Sequence, residues 1–412
     1  MNMQHNNWLK NIVLFLSGQT ISLFGTALVQ YAIMWHITLS TESGVMMTIS
    51  IVCGFLPTFF LSPFAGVWAD RFNRKHLIIL SDSFIALATL VLAILFLNGY
   101  DSIWLLFVTS AIRALGTAVQ TPAVGAILPQ LVPEEKLTKV NGANGSIMAL
   151  VTLTAPMLSA AILSMASIEI IFFIDVVTAV IGIAILLLFV RVAPHAKAAE
   201  QQTTSYWADM RKGFDYVREH RFIGKFFLFM TFFMLLAAPA AFLTPLQVTR
   251  TFGGDYWRLT AIEITFSIGM MLGGALIASW GGFRNKTHTM TLSCLLFGIC
   301  TVGLGIVPNF WIYITIMGLA GVSMPLFNTP ATVLLQEKVE PDYMGRVFGV
   351  MGMIASVTMP MGMLVFGPLA DVVDIEWLLI LTGALLFVLG FFLVGSKALM
   401  EAGKPVEQPQ SE

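Results

Sequence analysis

Apolar residues run along this chain in blocks longer than a soluble core requires, separated by short polar breaks. A helix needs about 20 apolar residues to cross a hydrocarbon layer of about 30 Å, because each residue adds about 1.5 Å. Blocks of that length predict spans near 11–38, 45–68, 76–98, 102–125, 139–165 and 168–190. Six more follow near 222–248, 259–281, 288–307, 310–334, 346–368 and 376–396. The pattern predicts an all-α polytopic membrane protein with twelve spans in two groups of six. Residues 1–190 form a first six-helix half, 191–221 a linker and 222–396 a second six-helix half. The tail, 397–412, is polar, carries Pro405 and Pro409, and reads as disordered.

The linker is the one long polar stretch between spans. Trp207, Met210, Phe214 and Val217 recur in it at helical spacing. Asp209, Arg211, Lys212, Asp215, Arg218 and Glu219 take the other positions. That alternation predicts an amphipathic helix lying in the membrane interface.

Composition sharpens the class. Of 412 residues, 57% are hydrophobic and 11% charged, with a mean hydropathy of +0.84. Soluble domains carry about 25% charged residues, so the lipid bilayer is the expected solvent and partner. A net charge of −1 gives no basic footprint for nucleic acid. Cys53, Cys294 and Cys300 all fall in apolar blocks, with neither disulfide nor zinc spacing, and read as packing residues. The first block is too long for a cleavable signal peptide and lacks a small-residue cleavage site.

Basic residues set an expected orientation. If both termini are cytoplasmic, every Lys and Arg except Arg113, Arg250 and Arg258 falls on the cytoplasmic side, out of 22 in all. Such asymmetry is the positive-inside signal, and it predicts a multi-pass protein of the cell membrane with both termini inside.

The halves share a pattern. Thr121-Pro122-Ala123 recurs as Thr329-Pro330-Ala331 at an offset of 208, and Pro133-Glu134 returns as Pro341-Asp342 at the same offset. Lys139-Val140 and Gly142 return as Arg346-Val347 and Gly349, one residue short of it. Matched features in one order indicate a duplicated six-span unit.

Candidate chemistry is concentrated in a few places. Between spans 2 and 3 lies Gly66-Val67-Trp68-Ala69-Asp70-Arg71-Phe72-Asn73-Arg74-Lys75. Gly66 would let helices approach closely. Asp70 at a membrane boundary seeks a cation or the free N–H groups of a helix start, and Arg71, Arg74 and Lys75 anchor the loop. Its counterpart in the second half, Gly281-Gly282-Phe283-Arg284-Asn285-Lys286, keeps the bases and lacks the acid.

Arg113 lies about 15 Å into its span. An arginine there costs at least about 2.5–3.5 kcal/mol and must find a partner inside the bundle. It reads either as a coupling residue or as a structural one. Asp175 and Glu263 approach from the outer side of their spans and are candidate protonatable groups, Glu263 with no neighbouring cation in sequence. Asp82 is expected to cap span 3 or to pair with the loop bases. Gln19, Ser22, Thr26 and Gln30 fall on one face of span 1, and Gln120 and Asn328 lie in spans 4 and 10. These six are candidate cavity-lining residues, with interhelical hydrogen bonding as the alternative.

The 66–75 loop resembles the signature loop of the major facilitator superfamily, and the duplication matches that fold, whose substrate site lies near the midplane between halves. The resemblance implies that Asp70 docks near Gly345 and Arg346 as a gate latch. It further implies that spans 1, 4, 7 and 10 line the cavity and that Arg113 is linked to proton coupling. Asn73 stands where the family often has glycine. The antiporter motif of span 5 survives only as Ala155-Pro156-Met157-Leu158-Ser159-Ala160, without its glycine, although Pro156 would still bend the helix.

The chain is most similar to the macrolide-efflux branch of that superfamily. Asn7-Trp8, Ser17-Gly18-Gln19, Gly54-Phe55-Leu56-Pro57, Leu131-Val132-Pro133-Glu134-Glu135-Lys136, Ile262-Glu263-Ile264-Thr265-Phe266 and Gly345-Arg346-Val347-Phe348 carry the likeness.

The resemblance implies export of a small amphipathic drug by proton antiport with alternating access, working as a monomer. The driving energy would be the proton motive force, with no cofactor and no metal. Export of an endogenous metabolite, lipid or siderophore is the alternative within transport, and a non-transporting receptor or assembly partner the alternative outside it. No His-Glu-x-x-His, Gly-x-Ser-x-Gly or P-loop occurs, so the sequence predicts neither an intramembrane enzyme nor a built-in ATPase.

Overall fold

In the computed structural model, the described residues are 8–190, 192 and 215–404. They form helices and no strand. The first six long helices are α1 (Trp8–Thr41), α2 (Gly44–Arg71), α3 (Arg74–Leu97), α4 (Ile103–Leu131), α5 (Leu137–Met165) and α6 (Ile168–Phe189). The next are α7 (Arg221–Phe242), α8 (Thr244–Phe252), α9 (Tyr256–Trp280), α10 (Lys286–Ile306), α11 (Phe310–Lys338), α12 (Pro341–Leu369) and α13 (Ile375–Gly395), then the short α14 (Lys397–Ala402). Twelve helices among the described residues are long and apolar enough to cross a membrane, α7 and α8 together supplying the seventh. The break between those two falls at Leu243, where Pro245 opens α8 and has no N–H to continue α7.

Polar residues at the breaks define where helices start. The Asn73 side chain accepts from the N–H groups of Lys75 and His76 at the head of α3, and Asn285 accepts from Thr287 at the head of α10. Asn309 accepts from Trp311 and Ile312 at the head of α11. Each satisfies donors that a helix start leaves free.

Packing divides the chain into two units: Met1–Thr41 with Ile49–Gln202, and Glu42–Thr48 with Thr203–Glu412. In unit 1, α1 packs on α5 and α6, and α3 packs on α4 and α6. In unit 2, α7 packs on α12 and α13, and α10 packs on α11 and α13. The four pairings correspond, so the duplication read from short sequence matches is also a duplication of packing. Both units turn large apolar side chains outward, with Leu80, Leu188, Val388 and Phe391 all more than half exposed, which suits helices facing lipid.

Segment Glu42–Thr48 departs from a simple division at the linker. Within unit 2, Asp371 takes the Ser43 hydroxyl at 2.7 Å and the Gly44 and Val45 N–H groups at 2.6 and 3.0 Å. Arg250 donates to Asp371 at 2.9 Å and also to the Glu42 carbonyl.

The disordered-tail expectation is corrected at its start. Residues 397–404 fold back on α10: Thr287 donates to the Leu399 carbonyl at 2.8 Å, Asn285 to that of Met400 at 3.0 Å, and the Lys286 N–H to that of Gly403 at 3.0 Å. Leu399 is buried beneath these bonds. Residues 405–412 lie outside the described residues, as do Trp207, Asp209, Met210, Arg211, Lys212 and Phe214 of the expected linker helix. Asp215–Glu219 are helical.

Candidate functional site

Unit 1 contains two buried polar layers. In the first, Arg113 reaches from α4 to Asp175 on α6, Nη1 to Oδ2 at 2.5 Å. The same Nη1 donates to the Thr89 hydroxyl of α3, and Nη2 to the Thr26 carbonyl of α1 at 3.3 Å. Thr89 donates to Asp175 Oδ2 at 3.0 Å and Thr26 to Oδ1 at 3.3 Å. Arg113 is 7% exposed and Asp175 is fully buried, so charge and counter-charge are satisfied within the protein. A pair with this many supporting donors offsets a desolvation cost that an isolated buried charge could not.

The second layer joins three of those four helices, α1, α3 and α4. Gln120 on α4 donates to Asp82 Oδ1 on α3 at 3.1 Å and to Gln19 Oε1 on α1 at 3.3 Å. Asp82 is 3% exposed, and its Oδ2 has no hydrogen-bond partner among the described residues. Gln19 precedes Thr26 by seven residues, Asp82 precedes Thr89 by seven, and Gln120 follows Arg113 by seven. Seven residues are about two helical turns, or about 10 Å. α4 runs opposite to its neighbours, so all three spacings step toward the end of unit 1 that holds the α1 N-terminus.

Close helix approach builds the first layer. A Cβ on Gly25 of α1 would overlap the Thr178 hydroxyl and stand 3.0 Å from Asp175 Cα on α6. Thr26 is the next residue, which is how its carbonyl comes to face Arg113.

Unit 2 holds a different arrangement. A cavity of about 120 Å³ is lined by Glu263, Phe266, Phe297, Met317, Met324 and Met359, with four alanines and a leucine completing it. Water occupies about 30 Å³, so the cavity has room for a few waters or for the tip of a larger molecule. Glu263 is its one ionisable group. No hydrogen bond or ion pair to Glu263 exists among the described residues. The cavity wall depends on a second close crossing, where Gly321 of α11 packs on the Phe266 carbonyl of α9.

Several expectations are corrected. Asp82 neither caps α3, where Asn73 does so, nor pairs with the described loop bases Arg74 and Lys75. Those bases tie helix ends: Arg74 donates to the Ala69 and Ala126 carbonyls at 2.9 and 2.7 Å, and Lys75 to those of Leu187 and Val190 at 3.1 and 2.8 Å. Cations there complement the carbonyl ends of helices. Among the described residues of unit 1, a Cβ on Gly66 would meet nothing within 4 Å, so the close helix approach expected of it is not made there.

Gln19 and Ser22 are buried in the bundle. Thr26 and Gln120 are engaged in the two layers, while Gln30 and Asn328 are exposed. The side chains of Asp70, Arg71, Gly345 and Arg346, on which the latch expectation rests, lie outside the described ones.

Thr89 was not among the residues singled out, although its seven-residue step from Asp82 matches that of Gln19 to Thr26. A polar network in unit 2 was also missed: Tyr313 donates to Gln247 Oε1 at 2.8 Å, and Gln247 donates to the Leu304 carbonyl at 2.9 Å.

Twelve spans and a packing plan repeated in the two units define a multi-pass helical membrane protein. The sequence profile of the Major Facilitator Superfamily matches residues 11–363, and the chain belongs to that family. It is 31% identical over 385 residues to macrolide efflux protein A of Streptococcus pyogenes, covering 93% of this chain and 95% of that one. It is 32% identical over 323 residues to macrolide efflux protein A of Enterococcus faecalis, covering 78% and 99%. Among solved structures, a bacterial homologue of the human lysosomal transporter Spinster, inward-facing and unoccupied, superposes with a TM-score of 0.69 at 13% identity, covering 98% and 99%. That likeness concerns the fold.

Proposed function

We propose that this protein exports amphipathic small molecules of the macrolide type from the cell, by proton antiport with alternating access. The observation that carries the reading is similarity to macrolide efflux protein A along 93% of the chain. Both termini would be cytoplasmic, as the basic residues suggest, and the protein would confer resistance to the drugs it removes. Support for proton coupling comes from charged groups inside the spans, where they are costly unless they serve a purpose. Arg113 and Asp175 would form the fixed element of unit 1. Glu263, in an apolar cavity and unpaired among the described residues, would take up and release a proton in unit 2. Proton occupancy would then bias the populations of inward-open and outward-open states, which a ligand shifts only through differential binding. Asp70, Arg71, Gly345 and Arg346 are proposed as the gate.

The test is accumulation of radiolabelled erythromycin in energised cells, with a panel of other macrolides and one siderophore. Cells expressing the protein should hold several-fold less erythromycin than controls, and an uncoupler should abolish the difference. A difference that survives the uncoupler removes proton coupling. No difference for any macrolide removes the drug-export reading, and a difference for the siderophore alone replaces the substrate.

A further inference from the structure

Asp82 sits in the second polar layer of unit 1 with one oxygen bonded to Gln120 and the other without a partner among the described residues, at 3% exposure. Among the described residues, the neighbouring cations Arg113, Arg74 and Lys75 are engaged elsewhere. On α4, Arg113 is bonded to Asp175, Thr89 and the Thr26 carbonyl. On α6, the ionisable group facing this region is Asp175, which is an anion itself. On α1 the facing group is Gln19, a neutral amide. On α3, Arg74 and Lys75 donate to backbone carbonyls about two turns away. If Asp82 were ionised, the two layers together would carry one uncompensated negative charge inside a helical bundle that faces lipid. Amide donors such as Gln120 stabilise a carboxylate only partly, and an unpaired buried charge is not sustained in such surroundings.

We infer that Asp82 is a proton-binding site: its Oδ2 carries a proton in this conformation, and it is a carrier separate from the Arg113–Asp175 pair. The event is a simple acid dissociation. The O–H bond at Oδ2 breaks, its electron pair stays on the carboxylate, and the proton passes to water. Gln120 is the positioning residue, since its amide holds Oδ1 and leaves Oδ2 for the proton. The role of this proton in transport rests on the antiport reading above, whereas its presence on Asp82 does not.

The experiment is infrared spectroscopy of the purified full-length protein in lipid, without any substrate, with aspartate labelled with ¹³C at its side-chain carboxyl. At about pH 7 all but strongly shielded aspartates are ionised. A protonated-carboxyl C=O band that moves on aspartate labelling is therefore expected from Asp82, and it should be lost in Asp82→Asn and retained in Glu263→Gln. The Asp82→Glu variant should transfer the band's isotope sensitivity from aspartate to glutamate labelling, which decides the assignment should Asp82→Asn fail to fold. Absence of any aspartate-sensitive protonated band in the wild type overturns the inference, as does a band that survives Asp82→Asn. A positive spectrum alongside no macrolide export would leave this proton site standing and remove the drug reading.

Discussion

Arg113 and Asp175 join α4 to α6 through a 2.5 Å contact, with side chains 8% and 1% exposed. Removing one member leaves the other charged and buried. Asp175→Asn is expected to lower stability by about 3–5 kcal/mol, and Arg113→Gln by a similar amount. The double variant should lose less than the sum, because neither orphan charge remains. Thermal unfolding of the four proteins in one detergent measures this. Additive losses would show that the two residues act separately.

Glu263 should behave in the opposite way. No partner among the described residues holds its carboxyl, and its cavity is walled mostly by methionine, phenylalanine and alanine. Glu263→Gln removes a group whose charged form is unfavourable there and adds none. Its melting temperature should equal or exceed the wild-type value, while uncoupler-sensitive erythromycin export is lost. A fall in melting temperature as large as that of Asp175→Asn would show that the carboxylate has a structural partner.

Asp371, which lies beyond the end of α12, links pH to stability through the head of α2. Burial pushes its carboxyl up, but the Val45 and Gly44 N–H groups, the Ser43 hydroxyl and the Arg250 guanidinium outweigh that and hold it below its ordinary value. A carboxyl lowered on folding contributes stability above its unfolded value, and that contribution is lost as pH falls through the folded one. The melting temperature of Asp371→Asn should therefore lie below wild type at about pH 6, with the gap narrowing below about pH 4. A gap that is constant across this range would remove the ionised cap.

The architecture was legible from sequence because lipid imposes a length rule on every span, and helices of that length had little freedom to be anything else. The helix ends were less so. α4 continues through Pro129 to Leu131, past the expected end near 125, and span 7 breaks at Leu243. Neither is marked by hydropathy, which is blind to prolines inside an apolar block. At the site, the depth of Arg113 showed that it needed a partner, but the choice of Asp175, 62 positions further on, depends on α4 and α6 meeting. Asp82 was misplaced for a related reason. Basic residues lie close to it in the chain, yet Arg74 and Lys75 are drawn to helix-end carbonyls that sequence order does not reveal. The seven-residue spacing shared by α1, α3 and α4 was present in the sequence, and it acquires meaning only once those helices are known to be neighbours.

Gly25 offers a test of how far the first layer depends on close packing. A methyl group there would overlap the Thr178 hydroxyl and crowd Asp175 Cα at 3.0 Å. The hydroxyl can rotate away, whereas the Cα is fixed by α6. Overpacking costs about 1–3 kcal/mol, against a gain of about 1 kcal/mol when alanine replaces glycine inside a helix. Gly25→Ala should therefore be destabilised on balance and, by moving α1 away from α6, should weaken the bond Thr26 donates to Asp175 and the one its carbonyl accepts from Arg113. Thr178→Ala in the same chain should restore part of the melting temperature and not all of it, since the backbone crowding remains. Full restoration would assign the whole clash to the hydroxyl. A Gly25→Ala protein as stable as wild type would show that α1 and α6 have room to separate.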